Sequence, residues 1–200
     1  MVKVKICGLL RPCDIDAVNA EKPDYIGFVF AESRRKVTLT QAAELKNLLL
    51  PDIIPVGVFV NEPIENILSL VSEGIIDVIQ LHGSESEAYI QKLKLLTAKP
   101  VIKAIAVQCK GDVQKWSGSE ADYLLLDHKG GGTGQSFNWD MIGEVDKPYF
   151  LAGGLNPKNI VEAIGKTTPY AVDVSSGVEA EGLKDPAKIK EFIRRVRDGY

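Results

Sequence analysis

Along the chain, short runs of β-branched and aromatic residues alternate with stretches whose apolar residues recur at helical spacing. The strand-like runs are VKVKIC (2–7), DYIGFVF (24–30), IPVGVFV (54–60), IDVIQLH (76–82), PVIKAIA (100–106), DYLLLD (122–127), PYFLAG (148–153) and YAVDVSS (170–176). Between them the spacing predicts helices. Thr40 opens one, with Ala42, Ala43, Leu45 and Leu48–Leu49 on a shared face. Asn61-Glu-Pro opens another, with Pro63 in the first turn and Ile64, Ile67, Leu68 and Val71 along one side. Ser84 and Glu87 form a capping box ahead of Tyr89, Ile90 and Leu93. Asn156-Pro157 starts a further helix and Asp185-Pro186 the last.

Strands that alternate with helices pair in parallel through crossover connections. An open doubly wound sheet and a closed barrel both satisfy that rule, and eight repeated units favour closure. The predicted class is α/β: a compact (βα)8 TIM barrel with eight helices, built as one catalytic domain over residues 1–200. Such barrels typically run to about 250 residues, so the loops here must be short. No linker or low-complexity tract divides the chain.

Side chains alternate across a strand. Assigning the apolar faces to the helices turns Lys5, Cys7, Gln80, His82, Lys103, Asp127 and Asp173 into the barrel. A purely structural interior would stack Val, Ile and Leu. Buried charges need partners, and Lys5 and Lys103 are expected to pair with Asp173. Most of these polar residues fall in the carboxyl halves of their strands, where barrel enzymes keep their sites.

Composition narrows the partners. The chain is 45% hydrophobic and 26% charged, with a net charge of −3. That balance argues against a nucleic-acid partner, because a duplex-wide surface needs a basic excess. No apolar stretch approaches the roughly 20 residues needed to span a bilayer. Three cysteines with no CxxC spacing read as reduced thiols and predict a cytoplasmic protein. The two histidines lack metal-ligand spacing, so no metal is expected; no other cofactor is expected either. The expected partner is a phosphorylated small molecule, and monomer and homodimer both remain open.

Several constellations carry chemistry. Cys7 ends the first strand, and as thiolate it can act as a general base; Lys5, two residues earlier on the same face, would lower its pKa. Asp127 follows three leucines, a desolvating setting that raises a carboxyl pKa and suits it to proton donation. The glycines 130–132 and 134 mark a mobile loop beside it. Gly153 and Gly154 after the seventh strand, with Ser175, Ser176 and Gly177 after the eighth, resemble the phosphate cradle of such barrels. Arg34, Arg35 and Lys36 after the second strand can clamp a carboxylate.

VKICG, GFVF with SRRKV, VGVFVN, QLHG, LLLD with GGTGQSFNW, LAGGLNPKNI and DVSSGVE together resemble the phosphoribosylanthranilate isomerase family, in order and over nearly the whole chain. The resemblance implies a metal-free (βα)8 enzyme of tryptophan biosynthesis. Its reaction is an Amadori rearrangement of N-(5-phosphoribosyl)anthranilate to a 1-deoxyketose. Carried over by position, the base falls on Cys7 and the acid on Asp127. The carboxylate-binding arginine falls on Arg35, with Arg34 as the alternative. Phosphate-binding amides fall around Gly154, Ser176 and Gly177, and Asp173, Gln80 and His82 match pocket-lining residues. Other phosphosugar barrels compete, but a metal-dependent epimerase would need more than His82 and His128. A non-catalytic phosphate-binding barrel would need neither Cys7 nor Asp127.

Overall fold

Each run predicted as a strand forms one in the computed structural model, which describes residues 1–128 and 138–199. The strands are β1 (Lys3–Cys7), β2 (Tyr25–Val29), β3 (Ile54–Phe59), β4 (Val78–Leu81), β5 (Val101–Ala106), β6 (Tyr123–Asp127), β7 (Tyr149–Leu151) and β8 (Ala171–Val174). They pair in parallel in chain order, and β8 returns to β1 to close the barrel. Among the described residues the α-helices are α1 (Pro12–Glu21), α2 (Leu39–Leu48), α3 (Ile64–Ser72), α4 (Glu87–Leu96), α5 (Ile160–Thr167) and α6 (Pro186–Asp198).

Of the eight expected helices, six are present among the described residues. The β5–β6 and β6–β7 connections carry single 3-10 turns, at Gln114–Trp116 and Trp139–Met141, among their described residues. After β8 the chain makes a small hairpin, β9 (Glu179–Ala180) against β10 (Leu183–Lys184). Its Glu181 and Gly182 both have positive φ, the twist that matches a two-residue hairpin turn.

Helix starts follow local chemistry. Asp185 accepts the Lys188 amide at 2.9 Å, and Pro186 takes the first turn, as expected. Thr38, not Thr40, caps α2: its hydroxyl accepts the Gln41 amide while Gln41 reaches back to the Thr38 amide. Pro63 occupies the cap position of α3. Asn159, downstream of Asn156-Pro157, holds the cap position of α5. The box expected from Ser84 and Glu87 does not form. Ser86 caps α4, because Glu85 is drawn beneath the loop by the amides of Asn61 and Gly83 and by Lys103.

The core has two layers. One lies between strands and helices and includes Ile6, Ile26, Phe28, Ile79, Leu124, Leu126 and Phe192. The other fills the barrel, with Val56, Val78, Ile102, Leu125, Phe150 and Ala171. Tyr25, Tyr123, Phe150 and Tyr170 plug its amino-terminal end. Tyr25 meets Phe150 edge-on at 5.4 Å between ring centroids, and Tyr123 and Tyr170 sit 5.1 Å apart. Toward the carboxyl end the filling turns polar, through Lys5, Asp173 and Gln80.

Strand β5 corrects the expectation for Lys103. Ile102 and Ala104 face the interior, opposite Tyr123 and Leu125. Lys103 is level with Leu81 and Leu124 and points outward. Its ammonium does not meet Asp173. It binds Glu85 at 2.8 Å and the Gly83 carbonyl at 2.7 Å, over the face of Trp116. Both members of this pair are almost fully buried. Removing one partner of a buried pair strands the other charge, at a cost of about 3–5 kcal/mol. We predict a loss of that size for Lys103→Met in urea denaturation, with more than half recovered by Lys103→Met/Glu85→Gln. A single-variant loss below about 1 kcal/mol, the range of exposed pairs, would show that Glu85 does not need its cation.

Candidate active site

Every strand points its carboxyl end at one mouth, and four groups of side chains converge there. The first lies at the barrel's closing seam. The β1–β8 register sets Lys5 beside Asp173, and the ammonium donates to Asp173 Oδ1 at 2.9 Å while the lysine itself is wholly buried. Two residues on, Cys7 shares that face and is 8% exposed. Its partner in β2 is Gly27, whose missing side chain leaves room for the thiol. Its carbonyl accepts the Ser175 hydroxyl at 3.0 Å.

Burial pushes the Cys7 thiol above its ordinary range, and Asp173 adds to that. Lys5 and Lys184 pull the other way without overcoming it. The expectation that Lys5 would leave this cysteine acidic is therefore corrected. Lys5 itself is held above its usual value: burial lowers it, but Asp173 and Cys7 outweigh the burial. The ammonium stays charged and ready to favour a thiolate.

Across the mouth, β6 ends at Asp127, which is 8% exposed. Its Oδ1 accepts the His128 amide at 2.7 Å, and its Oδ2 lies 3.5 Å from His82 Nε2. Gln80, fully buried one pleat below His82 on β4, brings its amide nitrogen to 2.8 Å from His82 Nδ1. With the amide so oriented, Nδ1 accepts and the ring proton of a neutral His82 sits on Nε2, facing Asp127. Gln80 Oε1 has no hydrogen-bond partner among the described residues.

The third group is cationic. Arg35 is buried, its stem lying across Gly8, where any Cβ would collide with it. The arginine is thus seated beside the residue that follows Cys7. Its Nε and Nη2 donate to Glu179 Oε1 and Oε2 at 2.7 and 3.0 Å. Arg34, largely exposed, reaches the same carboxylate at 2.6 Å. Lys184 joins from β10: its ammonium donates to Glu179 Oε1 at 2.6 Å and to the Ser175 carbonyl at 3.0 Å.

The fourth group is the pair of loops after β7 and β8. Gly153 and Gly154 both have positive φ. The Gly154 carbonyl is pinned by the side chains of Asn156 and Asn159, at 3.1 and 3.0 Å. Gly177 lies in a 3-10 turn, Ser176–Val178, pressed so closely on the Leu155 carbonyl that a side chain cannot be accommodated. The two loops are therefore in direct backbone contact, with Ser175 and Ser176 at their junction.

The structure thus gathers Cys7, Asp127, Gln80, His82, Asp173 and Arg35 at one mouth, with the glycine loops on its rim. The glycines at 130–132 and 134 lie outside the described residues. Sequence reasoning gave no role to Glu179 or Lys184. Glu179 closes the DVSSGVE motif, but only the hairpin pairs it with Lys184 and turns both toward Arg35. Among the described residues, no group of three or more His, Cys, Asp or Glu is placed to hold a metal ion, and no helix is long and apolar enough to cross a membrane.

A closed parallel barrel with an acidic residue, a thiol and clustered cations at the carboxyl ends of its strands defines a (βα)8-barrel enzyme. The model of the N-(5'-phosphoribosyl)anthranilate (PRA) isomerase family matches residues 4–195. The N-(5'-phosphoribosyl)anthranilate isomerase of Thermoanaerobacter sp. strain X514 is 49% identical over 203 residues, covering 98% of each chain. The crystal structure of the phosphoribosyl anthranilate isomerase from Thermotoga maritima superposes with a TM-score of 0.90 at 38% identity, covering 99% of this chain and 100% of that one. An isomerase of this kind in complex with reduced 1-(o-carboxyphenylamino)-1-deoxyribulose 5-phosphate superposes with a TM-score of 0.87 at 36% identity, covering 99% and 100%. The chain belongs to the N-(5'-phosphoribosyl)anthranilate isomerase family and is an isomerase.

The buried thiol generates a prediction. A raised pKa means less thiolate at any given pH. In a Cys13→Ser/Cys109→Ser variant, which removes the two exposed thiols, iodoacetamide labelling of Cys7 should reach half its maximal rate at higher pH than labelling of free N-acetylcysteine. Labelling at lower pH than the free thiol would mean that the lysines outweigh burial.

Proposed function

We propose that this isomerase converts N-(5'-phosphoribosyl)anthranilate to its 1-deoxyribulose product, the Amadori step of tryptophan biosynthesis, with Asp127 as acid and Cys7 as base. The observation that carries the assignment is that both groups end inward-facing strands, β6 and β1, on opposite walls of one mouth. An acid and a base on two sides of a substrate are what ring opening followed by proton removal requires.

The steps follow from the groups present. Asp127 gives its proton to the furanose ring oxygen; the C1–O bond breaks, the anilino nitrogen supplies its lone pair, and a protonated Schiff base forms. That cation acidifies the neighbouring C2–H. It also brings positive charge toward Cys7, adding to Lys5 and offsetting the burial that holds the thiol neutral. Cys7, having released its own proton to solvent under that field, takes the C2 proton as thiolate. The resulting enolamine tautomerises to the ketone. His82, by its Nε2–H, faces Asp127 and stabilises the carboxylate left after proton transfer.

Binding follows the same division. Arg35 takes the anthranilate carboxylate, the two-N–H edge of an arginine matching the two oxygens. Gly153, Gly154, Ser175, Ser176 and Gly177 cradle the phosphate, supported by the close contact of their loops. Asp173 and Gln80 line the floor between. We also propose a cytoplasmic setting, since all three cysteines are free thiols.

Incubation with freshly prepared phosphoribosylanthranilate, followed by loss of its fluorescence, tests the reading. Turnover should fall by about 10²–10⁴-fold in both Cys7→Ala and Asp127→Asn, the usual range for a general acid or base. Cys7→Ser should also lose most activity, because a serine hydroxyl ionises far less readily. Absence of turnover by the parent protein would remove the function, and turnover that survives both substitutions would remove the assignment.

A further inference from the structure

Arg35 does not present its whole guanidinium to the mouth. Nε and Nη2, one full edge of the fork, already bind the Glu179 carboxylate. An arginine has five donors in one plane, so the end-on pair formed by Nη1 and the second Nη2 hydrogen stays available. Glu179 is not a loosely held occupant. Oε1 accepts from Arg35 and from Lys184, at 2.7 and 2.6 Å; Oε2 accepts from Arg35 and from Arg34, at 3.0 and 2.6 Å. Each oxygen is thus saturated by charged donors. Burial pushes this carboxyl up, yet its bonds to Arg35 and Lys184 prevail and hold it below the usual range.

The backbone beneath Glu179 is equally fixed. Its own carbonyl accepts Lys188 Nζ at 2.7 Å, and Arg11 ties down the Lys184 carbonyl at 3.0 Å. Arg34, Arg35 and Lys184 supply three positive charges against the one negative charge of Glu179. The corner is therefore two charges short of neutrality, and Arg35 is the buried arginine among them. An incoming carboxylate has no need to evict Glu179.

We infer that Glu179 is a positioning residue: it grips one edge of Arg35 and thereby aims the free end of that guanidinium at the substrate's carboxylate. The inference rests on the reading of Arg35 as the carboxylate-binding residue. A residue that only stabilised the fold would affect all ligands alike. One that aims Arg35 should affect only ligands that carry the carboxyl group.

The experiment uses reduced 1-(o-carboxyphenylamino)-1-deoxyribulose 5-phosphate and its counterpart lacking the carboxyl group, with binding measured by calorimetry and turnover of phosphoribosylanthranilate measured in parallel. Glu179→Gln should weaken the carboxylated ligand about tenfold, the scale of one charge-assisted contact, and raise KM similarly with little change in kcat. Binding of the counterpart should be unchanged. Because the single variant leaves Lys184 buried without its anion, Glu179→Gln/Lys184→Met provides a charge-balanced companion, which should show the same confined loss. Tighter binding of the carboxylated ligand would identify Glu179 as a competitor and overturn the proposal, as would equal weakening of both ligands. Arg35→Ala separates the underlying reading: if it fails to discriminate between the two ligands, the role given to Arg35 falls, whatever Glu179 does.

Discussion

A wholly buried ammonium must be neutralised, and Lys5 meets that demand through Asp173 on the adjoining strand. The pair lies where β8 rejoins β1, so it sits on the seam that closes the barrel. Slipping the seam by one residue would turn one of the two charges away from the interior, leaving the other buried without a partner. The register therefore has one acceptable setting. With it fixed, Cys7 must emerge one pleat above Lys5, over Gly27 and beside Ser175, and the two loops of the glycine rim must start at the same level. The chemistry at the mouth stands on this pair.

The same pair imposes a constraint on the thiol. A lysine near a cysteine favours the thiolate, but Lys5 spends much of its field on Asp173, and Asp173 itself repels a thiolate. Burial then decides the balance in the free protein. A base held neutral until a cation arrives beside it is suited to a reaction whose first product is a protonated Schiff base. In the proposed mechanism the thiol would stay neutral while the site is empty and be drawn toward ionisation by the cationic intermediate.

Periodicity made the barrel legible because a residue's face on a strand is settled by alternation alone. Cys7, Gln80, His82, Asp127 and Asp173 all fall on the inward face that alternation assigns them. Lys103 shows the limit of the rule. Val101, Lys103 and Ile105 share a face, and so do Ile102, Ala104 and Ala106; apolarity alone does not say which of two such faces is inside. The barrel takes the smaller set, and Lys103 finds Glu85 outside. The absence of an α-helix between β5 and β6 has a similar cause: residues 107–122 contain Gly111 and Gly118 and no sustained helical stripe. Glu179 and Lys184 were illegible for another reason. A charge acquires its role from its partners, and theirs come from the loop after β2, from Ser175 and from a two-residue turn. No spacing rule connects these.

The two walls of the mouth solve different problems. The acid wall carries Asp127 at the end of β6, Gln80 on β4 and His82 just beyond it; Gln80 holds the His82 ring, whose Nε2 lies 3.5 Å from Asp127. The base wall, on β1, β2 and the β8 hairpin, concentrates Lys5, Arg34, Arg35 and Lys184 against Asp173 and Glu179. That excess of positive charge suits a substrate with anionic ends. An anion bound there would raise the thiol's pKa further if it sat on Cys7 itself. Lys5 lies beneath the cysteine and Arg35 beyond Gly8, so an anion held by Arg35 would lie beside the thiol and not on it. Under the proposed assignment, separating the anion sites from the thiol would let one small barrel both attract a phosphorylated, carboxylated substrate and ionise a buried cysteine.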